Sequence, residues 1–244
     1  MKTVAIVQAR LGSTRLPGKV LADIGGRTTL ERVLDRIHRC SRVDEIIVAT
    51  SLLDRDDAVA AEAKRLGVKV YQGSEDDVLE RFRGAARAMD ATVCIRFTAD
   101  CPLIDPGVSD GIIEAFFADP ALDYVSNKIP QSFPRGLDTE VFSRAVLEIA
   151  ADEAVEEYER VHVTPYFYRN PDRFRVLGIV SEVNRADWRW TLDTPDDLEF
   201  IRAIYSRLSD KPDFTWLDVV SIIDREPALA GINAHVQQKS IEQG

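Results

Sequence analysis

Residues 4–19 read VAIVQARLGSTRLPGK. The apolar run Val4 to Val7 suits a short buried strand, and it ends in a loop carrying Arg10, Gly12, Ser13, Arg15, Gly18 and Lys19. A strand feeding a basic, glycine-containing loop is an arrangement suited to nucleotide phosphates. Glycine removes the Cβ and lets backbone N–H groups approach phosphate oxygens, while cationic side chains neutralise the remaining charge. Residues 1–22 hold Lys2, Arg10, Arg15 and Lys19 and no acid, in a chain of net charge −10. Such a positive island is placed to meet a small polyanion. The spacing excludes a P-loop, which needs four residues between its glycines and a hydroxyl after the lysine. Here five residues separate Gly12 from Gly18, and Val20 follows Lys19. No GxGxxG follows the strand either. Magnesium ligands, if any, must come from elsewhere.

Outward from this loop, strand and helix signals alternate. Thr28 and Glu31 have capping-box spacing ahead of a helix with Leu30, Val33, Leu34 and Ile37 on one face. Residues 45–50 predict a strand, Asp54 a cap for an alanine-rich helix ending at Gly67, and residues 68–71 a short strand. Ser74 is placed to cap the next helix, and residues 92–97 predict a further strand followed by a helix containing Ile112 and Phe116. This βαβαβ rhythm implies an α/β fold with a mostly parallel sheet and helices on both faces. Between 121 and 193 the pattern loosens into short strands near 123–126, 138–143 and 174–180 around a helix near 154–169. A strand at 188–192 then leads to Asp193, to Thr194 as a cap and to Pro195 at a first helical position. A last helix is expected over 215–224. The chain reads as one domain over 1–232 with a frayed polar tail at 233–244.

Composition narrows the function. A chain of 244 residues, 45% hydrophobic and 30% charged, can bury a large α/β core. Its pI near 4.9 argues against nucleic acid or an anionic membrane as the main partner. No stretch approaches the roughly 20 apolar residues of a membrane-spanning helix. Cys40, Cys94 and Cys101 are odd in number and lack CxxC spacing, so neither a disulfide framework nor a zinc site is indicated. The expectation is a cytoplasmic protein.

In open α/β sheets ligands gather at the carboxyl ends of strands. Asp100 follows the strand at 92–97, and Asp193 follows the segment at 188–192, so both are candidates to face Arg10 and Lys19. A nucleoside triphosphate travels with a divalent ion, commonly held by one or two carboxylates and phosphate oxygens. Either aspartate could instead simply cap the element that follows it. Together with the basic loop they favour a metal.

The ordered set VAIVQARLGSTRLPGKVL, EIIVATS, GSEDDVLERF, TADCPLID, DYVSN, GLDTEVF, HVTPYFY and LDTPDDLEFI resembles the cytidylyltransferases that activate sugars as CMP derivatives. That group includes the acylneuraminate and 3-deoxy-manno-octulosonate enzymes, and the branch named for spore-coat polysaccharide biosynthesis is the most similar. The resemblance spans about residues 1–205. It implies a nucleotidyltransferase-type, Rossmann-like α/β fold, CTP as donor, Mg²⁺ as cofactor and a homodimer. On it, Arg10 and Lys19 match the triphosphate-binding cations, and Asp100 and Asp193 the two metal aspartates. Ala9, Gly12 and Arg15 belong to the nucleotide loop, although the acylneuraminate branch has no arginine at the place of Arg15. Thr50, Gly73 and Ser74 fall where base and ribose are held. Octulosonate enzymes have Asp-Glu-Pro where this chain has Asp100-Cys101-Pro102, so no role transfers to Cys101.

The acceptor, a small sugar acid, is expected to meet the irregular section 121–180, which is also where a dimer interface would lie. Arg135 could clamp a carboxylate or phosphate bidentately beside Asp138 and Glu140, and His162 could act as a base. Trp188 and Trp190 read as packing. Two rival functions stand beside this one. A metal-dependent GT-A-like glycosyltransferase would be expected to carry an Asp-x-Asp motif, which neither Asp100 nor Asp193 heads. A non-catalytic nucleotide-binding module would bind CTP without turnover.

Overall fold

The structure, a computed structural model, describes residues 1–238. In chain order the elements are β1 (Thr3–Gln8), α1 (Thr29–Ile37), β2 (Glu45–Ser51), α2 (Asp57–Arg65), β3 (Lys69–Gly73), α3 (Val78–Ala88), β4 (Val93–Thr98) and α4 (Pro106–Ala118). Then come β5 (Tyr124–Ser126), β6 (Glu140–Ser143), α5 (Arg144–Glu153), α6 (Glu157–His162), α7 (Pro165–Tyr168) and β7 (Val176–Gly178). The chain continues with α8 (Pro195–Arg207), α9 (Trp216–Arg225) and α10 (Ala228–Gly231). The strands form a seven-stranded sheet in the order β3-β2-β1-β4-β6-β5-β7. β6 runs antiparallel to both β4 and β5, and every other pairing is parallel. This is the expected α/β sheet with one reversed strand.

Alternation along β1 shows why the sheet is covered on both sides. Val4 and Ile6 pack into one apolar layer with Phe82, Phe142 and Phe167, whereas Ala5 and Val7 pack into the other with Leu30, Leu34 and Ile113. A third core, around Trp190, Phe200 and Ile223, fastens α8 and α9 beside the sheet. Buried apolar runs thus place three parallel strand ends side by side, and the loops leaving them share one rim.

Several local expectations change. Ser74 does not cap α3. Its Oγ accepts from the Asp77 N–H at 3.0 Å, and Asp77 caps the helix by accepting from the Glu80 N–H at 2.9 Å. Asp54 opens a 3₁₀ turn, Asp54–Asp56, without a side-chain cap. The helix near 154–169 is two short helices, α6 and α7, separated at Val163 (φ 72°), and α5 precedes them. Residues 188–192 form no strand of the sheet, since only an isolated bridge joins Arg189 to Arg135. The start of the polar tail is held: Asn233 is buried and donates to the Arg189 carbonyl (2.9 Å) and to Asp197 (2.8 Å). Residues 239–244 of that tail lie outside the described residues.

Candidate active site

β1 and β4 are neighbours in register, with Gln8 beside Thr98, so the loops that follow them leave the same rim together. The β1 loop is shaped by its own hydrogen bonds. The Ser13 N–H donates to the Leu11 carbonyl at 2.7 Å, and the Leu11 N–H donates to Asp56 Oδ1 at 2.7 Å. Gly18 takes φ 73°, the left-handed conformation glycine adopts without strain, and starts the 3₁₀ turn Lys19–Leu21. That turn carries Lys19 across to the β4 loop. Lys19 Nζ donates to Asp100 Oδ2 at 2.5 Å and to Asp193 Oδ1 at 2.6 Å. The two carboxylates therefore lie no farther apart than the sum of these distances.

Asp193 reaches this point without a strand to carry it. The Trp190 N–H donates to the Arg135 carbonyl at 2.7 Å, and the Leu192 N–H donates to the carbonyl of Asp100 itself at 2.8 Å. Gly136 (φ 106°) lies so close that a Cβ on it would come 2.7 Å from the Trp190 carbonyl carbon. Behind Asp193, the fully buried Asp197 accepts from the backbone N–H groups of Asp193 and Thr194, both at 2.9 Å, and from Arg189 Nε at 2.9 Å. Arg189 Nη2 also donates to Asp193 Oδ2 at 2.5 Å, and Arg15 approaches the same oxygen at 3.2 Å. Arg189 and Asp197 were not singled out in the sequence. Their signal is an arginine and an acid placed on either side of Asp193.

The electrostatics follow from this geometry. Burial alone would raise the Asp100 carboxyl, but the Lys19 ammonium and its hydrogen bond hold it at about 2. Burial likewise opposes the charge of Lys19, and the two aspartates more than offset it, raising its pKa. Cys101, buried beside Asp100, has its thiol pushed well up by burial and by that carboxylate. Among the described residues no cluster of three or more His, Cys, Asp or Glu side chains is placed to hold a metal. Asp100 and Asp193 are nevertheless hard oxygen donors at a point where the protein already holds a cation, Lys19 Nζ, between them. That fits Mg²⁺, which takes few protein ligands.

The other expected residues divide into groups. Arg10 lies 3.8 Å from Glu75, which also pairs with Arg55, and these two side chains crowd the space over Gly12. Ala9 is buried and bonded through its N–H to the Ala49 carbonyl at 3.2 Å. Thr50 is fully buried in β2 with its Oγ1 lacking a partner. Gly73 packs on Arg81, a residue not foreseen, whose Nη1 donates to the Ser74 carbonyl. Burial and the Arg10 charge lower the Arg81 pKa to about 10, and its Nε and Nη2 have no partner. A buried arginine on the apolar side of α3 is the visible clue to it.

In the acceptor section Glu140 is enclosed. It faces Arg96 across the antiparallel pair β4–β6 and accepts from Arg96 Nη1 at 2.5 Å, Lys128 Nζ at 2.9 Å and the Tyr124 hydroxyl at 3.0 Å. Its burial would raise the carboxyl, but Lys128 and then Arg96 hold it at about 2. Arg96 also donates to Gln8 at 3.1 Å, tying this network to the end of β1. Asp138 accepts from Gln131 at 3.2 Å, and burial, reinforced by Glu140, raises its pKa. Arg135 is half-buried and its guanidinium has no carboxylate partner among the described residues. His162 closes α6.

Comparison with known proteins places the chain in a family. The cytidylyltransferase family model matches residues 4–214. An uncharacterised protein of Methanocaldococcus jannaschii is 39% identical over 98% of this chain and 98% of its own length. The spore coat polysaccharide biosynthesis protein SpsF of Bacillus subtilis is 34% identical over 92% of this chain and 95% of its own. The 3-deoxy-manno-octulosonate cytidylyltransferase of Maricaulis maris is 29% identical over 84% of this chain and 97% of its own. A cytidylyltransferase structure from Leptospira borgpetersenii superposes with a TM-score of 0.91 at 30% identity, covering 98% of this chain and 99% of that one. The glycosyltransferase reading falls away, and the chain belongs to the cytidylyltransferase family of CTP-dependent nucleotidyltransferases.

Proposed function

We propose that the protein transfers CMP from CTP to a small sugar acid, releasing pyrophosphate, in the making of a surface polysaccharide or glycan. The observation that carries this reading is the convergence of Asp100 and Asp193, distant in sequence, on the Lys19 ammonium at the mouth of the β1 loop. The acceptor hydroxyl oxygen bonds to the α-phosphorus as the bond to the bridging oxygen breaks, and the hydroxyl proton is lost. Such transfers depend on alignment and on neutralising charge, with little covalent work for side chains. Lys19, Arg10 and Arg15 stabilise the negative charge gathering on pyrophosphate. Asp100 and Asp193 would hold Mg²⁺, which when bound supplies positive charge to the phosphates. Asp197 and Arg189 keep Asp193 oriented. The unpartnered nitrogens of Arg81 are suited to the nucleotide, and Arg135 with Lys128 to the acceptor's anionic group.

The sugar-acid class is supported by the likeness to an octulosonate cytidylyltransferase and to a spore-coat polysaccharide protein. We place the reaction in the cytoplasm, where CTP is made. Among the described residues no helix is long and apolar enough to cross a membrane. A homodimer through section 121–180 is part of the same proposal, favoured by exposed Leu177 and Val180 beside the edge strand β7. The test combines CTP and Mg²⁺ with a panel of 3-deoxy-octulosonic and nonulosonic acids, read by pyrophosphate release and product mass. One sugar acid should give pyrophosphate and a CMP-sugar, and Asp100→Asn or Asp193→Asn should lower turnover by roughly 10²-fold or more. CTP binding with no turnover across the panel, or near-normal rates in both variants, would refute it.

A further inference from the structure

Behind the active-site rim, between α1, α8 and the segment leading into α9, lies a cavity of about 590 Å³ whose wall is rich in arginine. Arg27, Arg32, Arg36, Arg39 and Arg202 line it, against the carboxylates of Asp23 and Asp35. One arginine is neutralised there: Arg27 pairs with Asp35 and approaches Glu31 at 3.7 Å. The other four donate mainly to backbone carbonyls. Arg32 donates to Ile24 and Gly25 (2.8 and 3.0 Å), Arg202 to Asp23 (2.9 Å), Arg39 to Pro212, and Arg36 to Ile104 and to Phe214 (3.1 Å). Arg36 approaches one carboxylate, Asp105, at 3.8 Å, but Asp105 already accepts from the backbone N–H groups of Val108 and Trp216. Arg36 is 3% exposed, and its Nη1 has no partner.

A carbonyl oxygen satisfies a hydrogen bond without cancelling a charge, so the cavity keeps an excess of positive charge inside a chain of net charge −10. Two of the guanidinium groups are held flat. Arg32 lies over the Tyr205 ring at 4.5 Å and Arg36 over the Phe214 ring at 3.9 Å. Stacking covers their faces and carbonyls take their Nε and Nη2 groups, which leaves the Nη1 group of each to donate to a phosphate oxygen. Ser206 and Ser209 add hydroxyls to the wall, and the volume falls in the range of small-molecule sites.

We propose that this cavity binds a phosphorylated small molecule, separately from the CTP site. Its walls also bear the loops of the active site. Arg36 holds the Ile104 carbonyl, the Tyr205 hydroxyl donates to the Pro102 carbonyl at 2.6 Å, and Asp23 closely follows the turn that carries Lys19. The inference is independent of which sugar acid is the acceptor.

The test is calorimetric titration of the full chain with inorganic phosphate, pyrophosphate and glucose 1-phosphate, each in 0.15 M salt to screen diffuse attraction (Debye length about 8 Å). Each is repeated with CTP saturating the active site. At least one phosphate ester or anion should bind with CTP present. Arg39→Ala/Arg202→Ala, both exposed positions, should weaken that binding about tenfold or more while leaving basal turnover and the urea midpoint unchanged. Arg202→Glu should do the same. Binding only where CTP competes, or an isotherm unaltered by both variants, would overturn the proposal. The three titrants distinguish a site for the reaction's own pyrophosphate from one for a sugar phosphate.

Discussion

Replacing Glu140 by glutamine should unbalance the middle of the sheet. Glu140 is 1% exposed and accepts from Arg96, Lys128 and Tyr124. Despite burial, which disfavours the ionised form, Lys128 and Arg96 lower its carboxyl from 4.5 to about 2. That displacement corresponds to about 3 kcal/mol of folding stability at neutral pH. It agrees with the roughly 3–5 kcal/mol lost when one partner of a buried ion pair is removed. Glutamine keeps the shape and an acceptor but leaves two cations facing no charge. Because the folded-state value lies below the unfolded one, this stability is present above about pH 4.5 and is lost as pH falls through about 2. The wild-type protein and Glu140→Gln should therefore differ by about 3 kcal/mol in urea unfolding at pH 7, and the gap should narrow steadily below pH 4.5. Removing one of these two cations with Arg96→Met in the same chain should recover part of the loss. A difference under about 0.5 kcal/mol at pH 7, or one that does not change down to pH 3, would show that the network contributes no net charge stabilisation.

Three further substitutions probe the site. Gly136→Ala forces a Cβ into the backbone of Trp190 and Thr191 at φ 106°, so it should cost about 1–3 kcal/mol or more and lower kcat by displacing Asp193, measured by denaturation and turnover together. Asp197→Ala removes the acceptor shared by Arg189, Asn233 and two backbone N–H groups. A loss of about 3 kcal/mol or more is expected in urea unfolding, with kcat falling more than KM for CTP rises. Arg81→Met deletes a buried guanidinium with two unpartnered nitrogens. It should leave stability unchanged or improved while raising KM for CTP about tenfold, and an unchanged KM would remove Arg81 from the nucleotide site.

What the residues disclosed in advance was the part governed by local rules. Buried apolar runs bounded by loops marked β1, β2 and β4, and the tendency of ligands to lie at strand ends pointed to Lys19 and Asp100. Asp193 reaches the rim by a different route from the one its sequence suggests. The alternation Trp188, Trp190, Leu192 resembles a strand, yet its backbone bonds go to Arg135 and Asp100 and not to a ladder. α5 had an available signal, with Ser143 as cap and Val146, Leu147, Ala150 and Ala151 at helical spacing. The break at Val163 is a tertiary choice, since a β-branched residue at positive φ is disfavoured locally and persists here inside a packed core.

The charge network was beyond reach for a different reason. An arginine in the apolar strand TVCIRF is a conflict until its counter-charge is known, and that depends on which strand lies beside β4 and in which direction it runs. The reversed strand β6 sets Glu140 opposite Arg96, and no local pattern encodes that register. The same logic explains Lys19. Read alone it is a ligand for phosphate; in the folded chain it bridges two carboxylates that would otherwise repel. Two acids held this close require a cation between them. The chain can state which cations are near in sequence, but only the folded arrangement decides which one is there, and what an arriving triphosphate must compete with.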